Sequence, residues 1–266
     1  MTDLEELDIK AIFDVAFRVF LHNWQGVLLY LLALLVLTWT IQIPVVAWLG
    51  TQQALLVTGL EVFLVRSLIV GFVTSMAVLV FTPLINAYQQ GVTISKRLYI
   101  DSHRQLGKYL GSVLCYGLGF VMVVMTGVGL ATLLGSMSLP IVAPIMTVIA
   151  MYLLIVSSFY LYELAHTGVW GAKSLLRSYR LVKGRVFKTL LINVVGTVLT
   201  MMSVQIMAFI LGQLGLSGLI GSFIGEYTAL LMSAYLMLAL GVWYLNRYTA
   251  HQALIDKRNH SVGQYE

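Results

Sequence analysis

The chain alternates long apolar runs with short polar breaks, and the runs have the length of membrane-spanning helices. A hydrocarbon core about 30 Å thick requires about 20 helical residues. Six runs of this size are bounded by charged or turn-forming residues, and none has a Lys or Arg in its middle. They cover approximately residues 25–49, 66–88, 109–134, 140–164, 189–213 and 222–245. The pattern predicts an all-α polytopic membrane protein with six transmembrane helices over residues 24–246.

The breaks between the runs predict how the helices are connected. Runs three and four are separated only by residues 135–139, and runs five and six by a turn that contains Gly215 and Gly218. Connectors this short join antiparallel neighbours, so we expect three hairpins. The segment 54–65 is apolar but is interrupted by Gly59 and Glu61. We interpret it as a short outer-surface or re-entrant helix rather than a seventh span.

Two stretches that precede a run have the period of an amphipathic helix. The apolar positions of the first, within residues 1–23, are Ile9, Ile12, Phe13, Ala16, Phe17 and Phe20. The charged side chains lie off this stripe, and Thr2 with Glu5 has the spacing of a capping box. The apolar positions of the second are Leu175, Tyr179, Val182 and Val186. Both patterns predict helices that lie in the plane of the membrane surface, on the cytoplasmic side.

The entry segments also resemble one another. Phe17-Arg18-Val19 matches Tyr179-Arg180-Leu181, and residues 104–109 before run three resemble a degenerate third copy. We therefore expect three units, each with an inner surface helix and two spans.

Composition supports the membrane interpretation and excludes a water-soluble fold. Hydrophobic residues make up 59% of the 266 residues and charged residues only 10%, whereas a soluble domain carries about 25% charged residues. The only cysteine, Cys115, excludes an intrachain disulfide and a cage of several cysteines. The acidic N-terminus and the length of the first run are unlike a cleaved signal, so we expect this segment to be retained.

The distribution of basic residues predicts the orientation. With the N-terminus in the cytoplasm, 15 of the 16 Lys and Arg residues fall on the cytoplasmic side, and Arg66 alone lies opposite. This bias predicts a multi-pass protein of the bacterial inner membrane, with a cytoplasmic N-terminus and a polar cytoplasmic tail over 247–266. The bases in and just after the amphipathic stretch before the fifth run are candidates for contact with anionic headgroups or a partner: Lys173, Arg177, Arg180, Lys183 and Arg185. The alternative is that they only fix orientation. We expect no nucleic-acid partner.

The sequence offers little catalytic chemistry. The five histidines lie in separate segments, and metal, nucleotide-binding and nucleophile motifs are missing, so we expect no catalytic residues, metal or cofactor. The polar residues of the spans have two interpretations. They line a polar pathway, or they form hydrogen bonds between helices; the candidates are Asn86, Glu163, Asn193, Thr197 and Thr200. For Glu163, Glu226 and Glu61, contact with the aqueous interface is the simpler expectation.

Small residues recur every four positions in the sixth run. They are Gly221, Gly225, Ala229 and Ser233. Such a seam permits close approach of another helix, so we expect a neighbour within the chain first and a homodimer second.

Two segments carry a resemblance to a family. AKSLLRSYRLVKGRVFKTLL at 172–191 and YLMLALGVWYLNRY at 235–248 follow the amphipathic N-terminal helix. In this order they resemble uncharacterised bacterial six-helix inner-membrane proteins, which are related to the membrane domain fused to some glycerophosphodiester phosphodiesterases. The resemblance implies a six-helix membrane fold. It implies no catalytic residues, because the family has none established, and this sequence has no long hydrophilic segment to form a phosphodiesterase domain.

Three functions follow as hypotheses. The first is a non-catalytic inner-membrane protein that serves as an assembly, envelope-maintenance or lipid-environment factor. The alternative is a permease or carrier for a small solute or lipid, which the prolines Pro44 and Pro83 inside spans and the polar face of the fifth run favour. A membrane enzyme acting on lipid headgroups, with Glu163, His103 and His166 as its candidates, is the third and weakest.

Overall fold

The computed structural model describes five continuous stretches and scattered residues between them. The stretches are 7–52, 75–92, 96–114, 158–216 and 218–262, and the scattered residues are 69, 72, 73, 122, 126, 144, 145, 148, 149, 152, 153 and 155. Across these residues all regular secondary structure is helical. The helices are α1 (Ile9–His22), α2 (Trp24–Gln52), α3 (Ala77–Gln89), α4 (Lys96–Ser102), α5 (Tyr160–Thr167), α6 (Ala172–Val182), α7 (Val186–Gln213) and α8 (Leu219–Val262). A 3-10 turn at His103–Gln105 and a helical segment at 106–114 follow α4.

Three of these helices are long and apolar enough to cross a membrane. They are Trp24–Val45 within α2, Val186–Gln213, and Ile220–Ala253 within α8. The prediction of an all-helical chain with membrane-spanning helices is confirmed in this form. Helix α3 is a shorter apolar helix at the end of predicted run two. Most of run three, all of 54–65 and of 135–139, and part of run four fall outside the described residues, so six spans in three hairpins stay a prediction.

Helices α7 and α8 form an antiparallel pair. Trp243 near the end of the α8 span donates from its indole Nε1 to the Thr189 hydroxyl at the start of α7, over 3.1 Å. The turn between the helices uses Gly215 and Gly218, whose φ angles of 65° and 75° are accessible to glycine without strain. This pair is the scaffold against which the surface helices pack.

Helix α1 is amphipathic, as predicted, but its apolar face is turned to the protein. Its first residue follows Asp8, whose carboxylate accepts from the Ile9 amide over 2.7 Å, whereas the predicted Thr2 cap lies outside the described residues. Ile12, Ala16 and Val19 are fully buried in the core that α1 shares with α3 and α8. Phe17 of the same stripe is about half exposed, and the position of α1 at the membrane surface stays a prediction.

Helix α6 packs against the bundle through a face that includes two serines. Ser174 and Ser178 are fully buried, and the Ser174 hydroxyl donates to the Tyr160 carbonyl over 2.8 Å. Of the predicted apolar stripe, Val182 is buried and Leu175 is exposed. The small serines allow the helix to lie close against α5, and contact of its exposed face with the membrane surface stays a prediction.

Helix α8 continues well beyond the predicted end of the sixth span. The helix runs to Val262, so most of the polar segment 247–266 is helical and continuous with the sixth span. No glycine or proline occurs from Arg247 to Val262, and nothing in this polar segment therefore ends the helix.

Candidate functional site

The carboxylate of Glu163 on α5 is buried and bonded on both oxygens. The side chain is only 1% exposed. Its Oε1 accepts from the Arg177 guanidinium over 3.0 Å, and the Thr167 hydroxyl, which donates to the Glu163 backbone carbonyl over 2.7 Å, lies 3.2 Å from the same oxygen. Its Oε2 accepts from the Tyr244 hydroxyl over 2.8 Å. One carboxylate therefore joins α5, the surface helix α6 and the long helix α8.

The local sequence folds α6 back onto α5. Helix α5 ends at Gly168, which has φ 70°, and α6 begins after Gly171, with φ 69°. Two left-handed glycines three residues apart reverse the chain direction within a short loop. The loop is fixed by the Thr167 hydroxyl, which accepts from the Val169 amide over 3.3 Å. This reversal brings Arg177 to Glu163, 14 positions earlier in the chain.

Aromatic rings enclose the carboxylate. Tyr162 stacks on Tyr244 with ring centroids 5.9 Å apart, and Phe159 meets Tyr244 edge-on at 5.5 Å. His166 contacts Tyr248 at 4.7 Å. The rings reduce access of water, which strengthens the hydrogen bonds inside and makes the loss of any one donor costly.

His166 lies at the edge of this cluster, beyond the predicted end of span four. Burial lowers the pKa of its imidazole from the ordinary value of 6.5, and the Glu163 carboxylate opposes that shift. The neutral imidazole is thereby favoured in the folded protein.

One expectation about a charged residue is corrected by this geometry. Glu163 does not reach the aqueous interface, because α6 and the tyrosines cover it. The Arg177 guanidinium bonds Glu163 while about half of its side chain stays exposed, so its contact with headgroups or a partner stays a prediction. Glu226, also expected at the interface, accepts from the Trp39 indole over 2.5 Å. The other predicted headgroup bases are exposed: Lys173, Arg180, Lys183 and Arg185.

A second feature is a groove of about 350 Å³ on one face of α7. Its described lining residues are Ile155, Ser158, Leu190, Asn193, Val194, Thr197 and Val198. The Asn193 amide donates to the Thr189 carbonyl over 2.8 Å and reaches the Ser158 hydroxyl at 3.5 Å. The groove is therefore mostly apolar, with polar groups from Ser158, Asn193 and Thr197.

The candidates for a polar pathway are divided among separate places. Asn193 and Thr197 share the groove, whereas Glu163 belongs to the buried cluster. The Thr200 hydroxyl donates to the Gly196 carbonyl, and Asn86 accepts from Gln90 one turn along its own helix. The described residues do not join all five into one pathway.

Among the described residues, neither glycine of the predicted small-residue seam contacts another helix closely. A side chain added at Gly225 would meet no atom within 4 Å, and one at Gly221 would meet the Leu216 carbonyl of the preceding turn. Close packing against another helix occurs at Gly196, where an added Cβ would overlap Leu236 of α8, and at Gly241, where it would overlap Ile85 and Tyr162. The seam at Gly221, Gly225, Ala229 and Ser233 stays a prediction.

A cluster that the sequence did not predict lies around Trp243 at the basic end of the bundle. Trp243 is fully buried, with the Lys188 ammonium 4.5 Å and the Arg247 guanidinium 5.8 Å from its ring. Lys188 also donates to the Leu7 carbonyl, and Arg247 donates to the Leu181 carbonyl over 3.3 Å. These two bases hold α1, α6, α7 and α8 together. The only sequence signal was the dense grouping of Trp, Tyr and Arg near 243–248.

The described residues bring together no group of three or more His, Cys, Asp and Glu side chains that could hold a metal ion. The described residues form three separate features: the buried Glu163 with its donors, the basic outer helix α6 and the apolar groove on α7. In comparisons with known proteins, no family, no curated protein and no solved structure matches this chain. The resemblance to six-helix inner-membrane proteins therefore stays a prediction.

Proposed function

We propose that the chain is a non-catalytic, multi-pass protein of the bacterial inner membrane, with both termini in the cytoplasm. It serves as an assembly, envelope-maintenance or lipid-environment factor. The observation that supports this best is the complete engagement of Glu163 by Arg177, Tyr244 and Thr167. A general acid or base must reach a substrate proton, whereas this carboxylate is covered by donors of its own chain. Its role is to hold the surface helix on the bundle.

The outward face of α6 fits a membrane surface that carries negative charge. Lys173 and Arg180 are exposed, and Leu175, Leu176 and Trp170 are exposed beside them. A helix with this composition places its apolar side chains at the acyl boundary and its bases at phosphate level. Each base near an anionic surface contributes about 1 kcal/mol. The Glu163–Arg177 pair keeps this face in position.

The test uses a double variant that spares Arg177. Lys173→Gln with Arg180→Gln removes two exposed bases from α6, and Lys10→Gln with Arg18→Gln removes the same two residue types from exposed positions of α1. Each protein is purified in mild detergent, and co-purified phospholipids are measured by native mass spectrometry. We expect the α6 variant to lose phosphatidylglycerol and the α1 variant to keep it. Equal retention by wild type and the α6 variant contradicts the lipid role.

A carrier is the second candidate, and the groove on α7 is the observation that favours it. Asn193 and Thr197 place polar groups on an otherwise apolar surface. This function is tested in proteoliposomes that contain fluorescent phosphatidylglycerol. Dithionite quenches the label in the outer leaflet, so the loss of fluorescence measures the translocation of lipid between leaflets. Translocation that Asn193→Leu abolishes, with no loss in the matched Leu199→Ala variant outside the groove, supports the carrier. A translocation rate equal to that of protein-free vesicles would contradict the carrier function.

A further inference from the structure

The groove lies along one face of α7. Its α7 residues recur at spacings of three and four, from Leu190 through Val194 to Val198. Eight residues of helix span about 12 Å. The volume of about 350 Å³ lies at the lower end of the range for cavities that hold small molecules. This spacing of the lining residues fits a linear ligand that lies parallel to the helix.

The chemistry of the lining favours a hydrocarbon chain. No charged side chain occurs among the described lining residues, and most contribute only methyl groups. The Asn193 amide already donates to the Thr189 carbonyl, so the main polar group of the groove has its partner within the helix. Val194 and Val198 are 45% and 48% exposed, so the groove opens along its length. A methylene chain would bury this apolar surface at about 25 cal/mol per Å².

Basic residues stand at one end of the groove. Phe187 is 76% exposed and lies three residues before Leu190 on the same face of α7. Lys183 follows the last residue of α6, Arg185 precedes the first residue of α7, and both are exposed. Arg185 and Lys183 stand two and four positions before Phe187 in the chain. A ligand with a hydrocarbon chain in the groove would place its other end at these positive charges.

We propose that this groove is a binding site for one acyl chain of an anionic phospholipid, whose phosphate contacts Lys183 and Arg185. The inference rests on the proposed lipid role and deepens it, because it assigns a specific lipid to a specific groove. The bound phosphate lies at the junction of α6 and α7 and therefore stabilises the bend at Gly184. The lipid is part of the folded unit rather than of the surrounding bilayer.

The test measures lipid binding to the delipidated protein in detergent by native mass spectrometry, with phosphatidylglycerol and phosphatidylcholine of equal chain length as probes. Val194→Trp with Val198→Trp fills the groove, and Met201→Trp with Ile206→Trp places the same bulk on exposed positions of α7 outside it. Lys183→Gln with Arg185→Gln removes the headgroup charges. We expect wild type to bind one phosphatidylglycerol in preference to phosphatidylcholine. The groove variant should lose at least about tenfold in affinity for both lipids, equivalent to about two buried methylene groups. The charge variant should lose only the preference.

A groove variant that binds phosphatidylglycerol as wild type does overturns the site. If that variant fails to fold, phosphatidylglycerol with a photoactivatable acyl chain is crosslinked to the wild-type protein instead. Adducts within 190–198 support the site, and adducts confined to other segments overturn it. Lipid loss in the Lys173 and Arg180 double variant, together with adducts elsewhere, leaves the proposed function standing and removes only this site.

Discussion

The guanidinium of Arg177 and the carboxylate of Glu163 lie 3.0 Å apart, across the reversal that folds the surface helix α6 onto α5. The acid is 1% exposed and the base about half exposed. This asymmetry makes the pair a connection between the interior of the bundle and its basic surface.

The asymmetry predicts unequal effects of the two single substitutions. Arg177→Gln leaves a buried carboxylate without its cation and should lower the free energy of unfolding by about 3 kcal/mol. Glu163→Gln leaves a guanidinium that water can solvate, so its cost should be about 1 kcal/mol. Thermal unfolding in detergent measures both. Arg180→Gln, an exposed arginine one turn further along α6, is the control and should change little. A larger loss for Glu163→Gln than for Arg177→Gln contradicts this account.

Tyr244 is the second donor to Glu163, and the contribution of its hydroxyl to stability can be measured separately from that of its ring. Tyr244→Phe keeps the aromatic contacts with Tyr162 and Phe159 but removes the hydrogen bond to Glu163 Oε2. The loss of a donor to a buried charge should cost about 1–3 kcal/mol. Tyr248→Phe, one helical turn away, is the matched control. Equal melting temperatures of the two variants would show that the Tyr244 hydroxyl does not stabilise the cluster.

The packing of α7 on α8 predicts opposite outcomes for two glycines. Gly196→Ala places a methyl group against Leu236, which should cost about 1–3 kcal/mol through overpacking. Gly225→Ala meets no atom within 4 Å and should be neutral or stabilise the helix by up to about 1 kcal/mol. Unfolding in detergent compares the two variants. Marked destabilisation by Gly225→Ala, with a change in oligomeric state, would instead locate a partner helix at the predicted seam.

The stability of the fold should depend on pH through His166. Its pKa is lowered in the folded protein by burial, so the unfolded chain binds a proton more readily. The stabilisation from this group is complete above its ordinary pKa of 6.5 and is lost as the pH falls below that value. Glu163 is the nearest carboxylate and moderates the effect. Melting temperatures from pH 8 to pH 5 should fall less for His166→Gln than for wild type. Parallel curves would assign the pH dependence to other groups.

The sequence predicts the helices of this protein better than it predicts their contacts. The predicted run 189–213 lies within α7, because a run of apolar residues in lipid has few alternatives to a helix. Periodicity identifies the apolar stripes of α1 and α6 but not whether lipid or protein covers each position. Ser174 and Ser178 carry no apolar signal, yet they are fully buried, as is Val182 of the predicted stripe.

The buried site shows the same limit. Glu163 was recognisable as an acid near a membrane, but its donors Arg177 and Tyr244 stand 14 and 81 positions away in the chain. Only the fold determines that they converge. The polar residues of α7 were correctly placed on one helix, whereas Ser158, which adds a polar group to the groove, comes from another segment.

We propose that the basic surface formed around α6 faces the cytoplasmic leaflet, with the α7–α8 turn on the opposite side. Single cysteines in a Cys115→Ser background test this orientation by labelling with a membrane-impermeant maleimide in intact and permeabilised cells. Lys183→Cys marks the basic end of α6, and Leu216→Cys marks the α7–α8 turn; both positions are exposed. The account predicts labelling of Leu216→Cys in intact cells and of Lys183→Cys only after the inner membrane is permeabilised. Labelling of Lys183→Cys in intact cells, or of both positions from the same side, would contradict it.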